Sequence, residues 1–377
     1  MSIKKSIAPF AWFRTFTVLA GMLCLFACSP PPPIVLGFVG ALSGRVADLG
    51  VEGRNGVTLA VELRNKAGGV KGRQVELLAE DDQQNPAMAR QAVGKLIDLK
   101  VDALIGPMTS AMAMVVVPLV NQAQLVMVSP TVTTNSLSGL DDYFFRVLPA
   151  TSRYAKKDAD YHFDRLGLRR VAAVVDVNNR AYTEGWLADY RSAFAVGGGE
   201  IVDRVDFSSS GEVLFADLAR RLLASQPDGI LILANAVDTA MLCQHLRKLD
   251  QSIPIATSEW AATEQLIELG GRSVEGVVIA QFLDRQGSQE AYLKFRQGYQ
   301  DRFGKRPGFA GLTAFDAANV LLDAIEHQAP GQSLKQSLLT RKTFPGTQVP
   351  VAFDAFGDTS HDTFLTMVKD GLFVRLP

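Results

Sequence analysis

The strongest constraint on the fold is a regular alternation of short apolar runs with amphipathic stretches of helical length, which begins at Ile34. Continuous apolar runs are typical of strands in parallel sheets, because helices cover both faces of such sheets and exclude solvent. The pattern therefore predicts an α/β fold that is doubly wound. Eight runs show it: "IVLGFVG", "QVELLAE", "VDALIG", "LVMVSP", "VAAVVDV", "GILILA", "IPIATS" and "GVVIAQF".

The runs fall into two series, one on each side of residue 150, and the second ends near Phe282. Two helices are predicted after them, around Glu290–Phe303 and Gly308–Gln328, followed by a β-rich tail. Helices without new strands indicate that the chain returns to the first series. A chain of 377 residues also suits two domains, because single cores stop growing at about 250–300 residues. The predicted lobes are 34–149 with 283–346, and 150–282 with 347–377.

The N-terminus has the features of an export signal. Three basic residues up to Arg14 precede an apolar segment from Phe16 to Ala27, which is shorter than the roughly 20 residues of a membrane span. The segment ends in "LFAC", which resembles the bacterial lipobox, where the cysteine after a small residue is lipidated and becomes the new N-terminus. We predict a lipoprotein signal peptide over residues 1–27 and lipidation of Cys28. An ordinary signal peptide with an unused cysteine is the alternative.

Residues 28–33 are predicted to form a tether between the lipid and the folded body. Its prolines, Pro30–Pro33, favour an extended spacer of roughly 12 Å, at about 3 Å per residue. Cleavage before Cys28 leaves Cys243 as the only free thiol. No disulfide is therefore expected within the mature chain, and its stability must come from packing.

Charge and motif content exclude several classes of function. The formal net charge is -1 and the basic residues form no block, so no nucleic-acid partner is predicted. The sequence has no nucleotide-binding glycine fingerprint, no P-loop and no nucleophile elbow. The acids of Glu80–Asp82 are interpreted as structural, since they precede a helix N-terminus. No cofactor, metal site or catalytic set is predicted, because the four histidines have no metal-ligand spacing: His162, His245, His327 and His361.

The candidate ligand-binding residues follow the apolar runs, because ligands of open parallel sheets bind beyond the carboxyl ends of the strands. Ser110 follows "VDALIG" and is expected to cap a helix whose free N–H groups and dipole attract anions. Thr131 and Thr133 follow "LVMVSP", while Tyr182 follows "VAAVVDV" and Glu259 follows "IPIATS". A carboxylate that faces a cleft can balance a ligand cation. Helix capping, turn chemistry and a solvated loop acid are the alternatives for these residues.

Several longer segments occur in an order and spacing that resemble a known family. They are "VGALSG", "NKAGGVKGRQVELLAEDDQQNPAMA", "LIGPMTSAMA", "VMVSPTVTTNSL", "RAYTEGW" and "FDAFGD". The chain is similar to type I periplasmic substrate-binding proteins of the Leu/Ile/Val-binding class, over nearly all of its length after the N-terminal segment. The resemblance implies two doubly wound α/β lobes that are joined by three hinge crossings and close over a ligand.

The resemblance also implies roles for the five candidate residues. In family members that bind amino acids, the ligand carboxylate lies on the serine that matches Ser110. The ligand ammonium is shared by the main chain at Thr131, the side chain of Thr133 and an acid of the second lobe, which matches Glu259. Tyr182 matches a tyrosine of the same site.

Two ligand positions depart from the family pattern. Leu49 stands where relatives often have an aromatic residue, and Asn235 stands where they often have a tyrosine. Gln84 and Thr109 replace a cysteine pair that is disulfide-bonded in some relatives. The resemblance therefore leaves the identity of the ligand open.

The function implied by the resemblance is transport rather than catalysis. We expect a monomeric lipoprotein on the periplasmic side of the membrane that binds a small amino acid, of the branched-chain type or a related zwitterion. Its partners would be an ABC permease of the inner membrane and the associated ATPase. The alternative is a sensing or regulatory lipoprotein, which uses the same fold to bind a small amide, a carboxylate or a protein partner.

Overall fold

The computed structural model describes residues 31–377, so the predicted signal peptide and Cys28 lie outside the described residues. The chain forms two lobes, each built on one sheet. The strands of the first sheet are β1 (Ile34–Gly40), β2 (Val75–Asp81), β3 (Ala103–Ile105), β4 (Met127–Ser129) and β5 (Phe144–Arg146). They are all parallel, in the order β2-β1-β3-β4-β5.

The second sheet has seven strands. They are β6 (Arg170–Asp176), β7 (Glu200–Phe207), β8 (Gly229–Leu233), β9 (Ile255–Thr257), β10 (Val278–Gln281), β13 (Phe364–Lys369) and β14 (Leu372–Arg375). Strands β6 to β10 are parallel in the order β10-β9-β8-β6-β7. Strands β13 and β14 extend the sheet in the antiparallel sense beside β10.

Helices cover both sheets. Those of the first lobe are α1 (Ala47–Lys66), α2 (Pro86–Asp98), α3 (Ser110–Ala123), α9 (Glu290–Phe303), α10 (Phe309–His327) and α11 (Leu334–Arg341). Those of the second lobe are α4 (Ser152–Asp164), α5 (Arg180–Val196), α6 (Phe215–Ala224), α7 (Ala236–Leu249) and α8 (Glu264–Gly270). Within residues 31–377, no helix is both long and apolar enough to cross a membrane.

The two lobes share one strand order. In each, the first strand lies between the second and the third, so that the helices before and after the second strand cover opposite faces. This confirms the predicted doubly wound fold, and it places a crevice at the carboxyl ends of β1 and β3 and another at those of β6 and β8. The two crevices face each other, so the loops after the strands of both lobes meet in one cleft.

The last part of the chain differs from the predicted boundary at residue 347. Strands β11 (Thr343–Phe344) and β12 (Val351–Ala352) pair with each other. The Phe353 ring then packs edge-on against Phe145 of β5, with 5.3 Å between their centroids. The backbone O of Gly357 accepts a hydrogen bond from Arg146 N. Residues from 347 to Asp358 thus pack with the first lobe, and we place the third crossing after Asp358.

Local sequence explains the element boundaries and one close helix contact. Asn85 caps α2, because its Oδ1 accepts from Ala87 N at 2.8 Å and Pro86 occupies the first turn. Gly56 lets α1 approach α10, since a Cβ at this position would lie 2.1 Å from the Gly311 carbonyl O. Only glycine permits this backbone contact.

Candidate ligand-binding cleft

The first wall of the cleft is the loop between β3 and the N-terminus of α3. Thr109, rather than the predicted Ser110, is the N-cap residue, and its hydroxyl donates to Gln84 Oε1 at 2.8 Å instead of capping the helix. Ser110 is the first helical residue and is 2% exposed. The backbone N–H of Ala111 is satisfied from the opposite lobe, by Asn179 Oδ1 at 2.9 Å. The helix N-terminus thus points its donors into the cleft.

The second wall is the loop after β4. The Thr131 hydroxyl donates to Met108 O at 2.6 Å, which ties this loop to the β3 loop. The Thr133 hydroxyl is buried and has no hydrogen-bond partner of ordinary geometry. Arg146, buried at the end of β5, donates to Thr134 O at 2.8 Å and to Asp358 Oδ1 at 2.7 Å. Arg146 therefore joins the loop after β4 to Asp358, which precedes the third crossing.

The second lobe contributes Glu259, which lies in a short 3-10 helix directly after β9. Its side chain is buried, and Oε2 accepts a hydrogen bond from Trp186 Nε1 at 3.0 Å. The other oxygen, Oε1, has no partner of ordinary geometry, although the hydroxyls of Tyr182 and Thr133 face the carboxylate. One acceptor is therefore left for a donor that enters the cleft.

Burial governs the charge state of this carboxyl. Desolvation raises the pKa of Glu259 from 4.5 to about 7, and its own backbone N–H and the Trp186 N–H offset part of that rise. Burial also raises the pKa of Tyr182 well above 10, so this phenol stays neutral and can donate. A cation beside Glu259 would lower its pKa again, because an opposite charge favours the ionised form.

The structure brings six of the seven predicted site residues to one cleft. Its lining includes Leu49, Ser110, Thr131, Thr133, Tyr182 and Glu259. Asn235 is the exception, because it caps α7. Its Oδ1 accepts from Asp238 N at 3.0 Å and its Nδ2 donates to Asp238 Oδ2 at 2.7 Å.

The remaining lining residues are Met108, Thr109, Leu148, Asn179, Trp260 and Phe309. The Trp260 indole packs edge-on against Tyr182, with 5.7 Å between the ring centroids. Asn179 could have been found by the strand-end rule, since it ends the 3-10 turn Val177–Asn179 that follows β6. Trp186 could not, because an indole in a helix has the signature of an ordinary core residue.

The lobes are in contact, and the enclosed space is small. The Arg45 guanidinium binds Asp238 at 2.5 Å and Thr263 donates to Asp48 Oδ2 at 2.6 Å. The Thr134 hydroxyl donates to Ala181 O at 2.7 Å. The cavity between them measures about 20 Å³, which is close to the space needed for one water molecule.

Other predicted features of the first lobe prove to be structural. Asp81 accepts hydrogen bonds from Leu42 N, Ser43 Oγ and Gln83 N, and Glu80 forms an ion pair with Lys95. Among the described residues, no group of three or more His, Cys, Asp or Glu side chains is arranged to hold a metal ion. Cys243 is buried and free.

The sequence from residue 33 to 371 matches the periplasmic binding protein family. The chain belongs to this family. Its members are binding proteins rather than enzymes. A relative from Rhizobium johnstonii, the Leu/Ile/Val-binding protein BraC3, is 25% identical over 360 residues, which cover 93% of this chain and 95% of the relative.

Solved structures of similar periplasmic binding proteins share the two-lobed fold. A leucine-binding protein from Thermotoga maritima is 26% identical, with a TM-score of 0.83 over 91% of this chain and 98% of the other. A solute-binding protein from R. palustris, solved with benzoate, is 19% identical, with a TM-score of 0.81 over 91% of this chain and 95% of the other. Among these solved structures, the same fold therefore binds an amino acid in one protein and an aromatic carboxylate in another.

Proposed function

We propose that this periplasmic binding protein captures a small amino acid, or a related zwitterion, between its lobes and delivers it to an ABC importer. The observation that carries the proposal is Glu259, a buried carboxylate that has one unpartnered oxygen and faces the cleft. A buried acceptor without a partner is costly, so a site of this kind is built for a donor. An ammonium group supplies both the hydrogen bonds and the charge.

The opposite end of the cleft suits the ligand carboxylate. The N-terminus of α3, with Ser110 in its first turn, presents N–H groups and the positive end of the helix dipole. The ammonium then lies between Glu259 and the Thr133 hydroxyl, with the Thr131 main chain beside it. The two charged groups of one zwitterion thus contact different lobes, which makes lobe closure depend on the ligand.

Isothermal titration calorimetry of the mature domain with amino acids tests this proposal. Breaking a desolvated charge pair typically costs about 2–5 kcal/mol, so Glu259→Gln should weaken amino-acid binding by well over tenfold. Glu268→Gln is the matched control, because Glu268 is an exposed acid of the same lobe. Equal affinities in the wild type and Glu259→Gln would contradict the proposal.

The regulatory alternative rests on the small cavity, since a cleft that is filled by its own side chains needs no small ligand. Glu259 argues against it, because a permanently filled cleft gains nothing from an unpaired buried carboxylate. A thermal-shift screen separates the two, since a ligand at a hundred times its Kd adds about 2.7 kcal/mol of stability. No shift with any amino acid, amide or carboxylate would favour the regulatory role.

The proposed transport role includes a membrane anchor at Cys28, with Pro30–Pro33 as the spacer to the first strand. Its partners are a permease of the inner membrane and an ATPase, and the protein acts as a monomer. Cys28→Ala should move the protein from the membrane fraction to the soluble fraction or block its processing. Intact-mass analysis of a mature chain without acyl groups would contradict the anchor.

A further inference from the structure

A second pocket lies between the lobes, shares no lining residue with the cleft and measures about 310 Å³. Its second-lobe wall consists of α8 and the turn between β13 and β14. Its first-lobe wall consists of α9 and the residues that lead into α10, and the second crossing also lines it at Arg285 and Gln286. Pockets that hold small molecules have volumes of about 300–1,000 Å³ and occur preferentially at domain interfaces. The size and position of this pocket therefore suit a small ligand.

The pocket is lined by two arginines that have no acidic partner. Arg296 belongs to α9 and Arg306 precedes α10. Within residues 31–377, no carboxylate oxygen lies within 4.0 Å of either guanidinium. The Arg296 guanidinium is half-buried and lies over the Tyr292 ring, 5.7 Å from the ring centroid. Two unpaired guanidiniums in one pocket attract an anion, and their planar arrays of donors match a carboxylate.

The acids of the pocket do not cancel this charge. Glu264 forms an ion pair with the third arginine, Arg285, at 2.7 Å. The Arg285 guanidinium donates to two further oxygens at 2.7 Å and lies 4.1 Å from the centroid of the Phe373 ring. Glu268 is exposed and is the only other acid in the lining. The charge that remains for a ligand is therefore positive.

The rest of the lining is largely apolar, and both lobes contribute to it: Ile267, Tyr292, Pro307, Leu372 and Phe373. Leu372 is 55% exposed, whereas the adjacent Phe373 is 5% exposed. An inorganic anion would leave this apolar surface in contact with water. A ligand that carries a ring or a branched chain would cover it, which adds a hydrophobic contribution to the charge interaction.

We propose that this pocket is a second ligand site, which binds small organic anions that carry a carboxylate and an apolar body about as large as a phenyl ring. The carboxylate lies between Arg296 and Arg306, and the apolar body packs against Ile267 and Leu372. This site goes beyond the proposed transport function, because it does not depend on which molecule the cleft binds.

Isothermal titration calorimetry with 3-phenylpropanoate tests the proposal, and 3-phenylpropanamide serves as the neutral probe of the same shape. The carboxylate should bind the wild type with a Kd in the low millimolar range or tighter. The amide should bind at least about tenfold more weakly, or not detectably, because it lacks the charge. This comparison uses only the wild type, so it does not depend on the folding of any variant.

Variants of the two arginines locate the bound carboxylate. Arg296→Gln and Arg306→Gln should each weaken 3-phenylpropanoate about threefold or more, and the double variant at least about tenfold. Arg90→Gln is the matched control, because Arg90 is an exposed arginine of α2 outside the pocket. Thermal melting without ligand shows which variants are folded.

Three results would overturn the proposal. The first is the absence of any binding of 3-phenylpropanoate to the wild type at about 10 mM. The second is equal affinity for the carboxylate and the amide. The third is loss of binding in Ser110→Ala but not in the double arginine variant, which would place the anion in the cleft. None of these results bears on Glu259 and amino acids, so failure of the second site is distinguishable from failure of the proposed function.

Discussion

Arg45 of the first lobe donates a hydrogen bond to Asp238 of the second lobe at 2.5 Å, and the Asp238 carboxylate has no exposed surface. Asn235 holds the same carboxylate from within the second lobe at 2.7 Å. The residue that we predicted as a ligand contact therefore orients an interlobe ion pair instead. We therefore expect Asn235 to affect ligand binding indirectly, through the stability of the closed form.

Arg45→Ala should weaken ligand binding about three- to tenfold, because the closed form then holds a buried carboxylate without its cationic partner. The loss should appear mainly as faster dissociation in stopped-flow measurements, since the pair forms only on closure. Arg90→Ala is the control, because Arg90 is exposed on α2. An unchanged dissociation rate in Arg45→Ala would show that the pair does not stabilise the closed form.

Glu259 should make the affinity for amino acids depend on pH. The ligand-free carboxyl has a pKa of about 7, and an ammonium binds its ionised form, so binding below pH 7 requires release of a proton. The advantage of the wild type over Glu259→Gln should be largest at pH 8 and shrink by about tenfold per pH unit below pH 7. Calorimetry in buffers of different ionisation enthalpy measures the released proton. An advantage that is constant from pH 5 to 8 would contradict this assignment.

Two acids that face each other across the lobes should oppose closure. Glu52 of α1 and Glu264 of α8 come close to each other across the lobes, on either side of Gly308. A Cβ at Gly308 would lie 2.5 Å from Glu52 Oε2 and 2.7 Å from Glu264 Oε2. Burial, followed by the charges of Glu264 and Asp48, raises the pKa of Glu52 to about 8. The cationic groups of Lys305 and Arg285 offset part of this effect.

The Glu52 carboxyl should oppose lobe closure increasingly as pH rises. A carboxyl whose pKa is raised from 4.5 to about 8 adds no free-energy cost to closure below pH 4.5. The cost grows between pH 4.5 and pH 8 and is constant above pH 8. Glu52→Gln should therefore bind ligand more tightly than the wild type at pH 8, and this advantage should shrink as the pH falls towards 4.5. Asp323→Asn, a substitution of a first-lobe acid outside the cleft, is the control. A benefit of Glu52→Gln that is largest at pH 5 would contradict the argument.

Gly56→Ala should destabilise the first lobe by about 1–3 kcal/mol, because the new methyl group would overlap the Gly311 carbonyl and push α1 away from α10. Gly94→Ala is the matched control, since Gly94 lies within α2 and a Cβ there meets nothing within 4 Å. The control should be more stable than the wild type by up to about 1 kcal/mol. Urea denaturation measures both, and equal effects of the two substitutions would contradict the close contact.

The sequence predicted the strands well, because they follow from short-range patterns. The runs "QVELLAE" and "VAAVVDV" became β2 and β6 almost residue for residue. The strand-end rule predicted that Ser110, Thr133 and Glu259 lie near one another, and all three line one cleft, since parallel strands point their carboxyl ends to one edge.

Contacts between the lobes could not be predicted in this way. The bond from Ala111 N to Asn179 joins residues of different lobes, and the bond from Trp186 to Glu259, within the second lobe, likewise joins residues far apart in the chain. Asn235 was misplaced because an N-cap and a ligand contact occupy the same kind of position, directly after a strand. The boundary at residue 347 was misplaced because β11 and β12 have only two residues each and show no periodicity.

The packing of α1 against α10 has a consequence for the order of folding. The two helices form one core, yet the second lobe's main segment separates them in the chain. During synthesis, strands β6 to β10 can form their sheet before α10 has been made. The core of the first lobe, in contrast, cannot be completed until α10 is present. Non-local closure of this kind is slow. The core of the first lobe is therefore completed only after the C-terminal helices have been made.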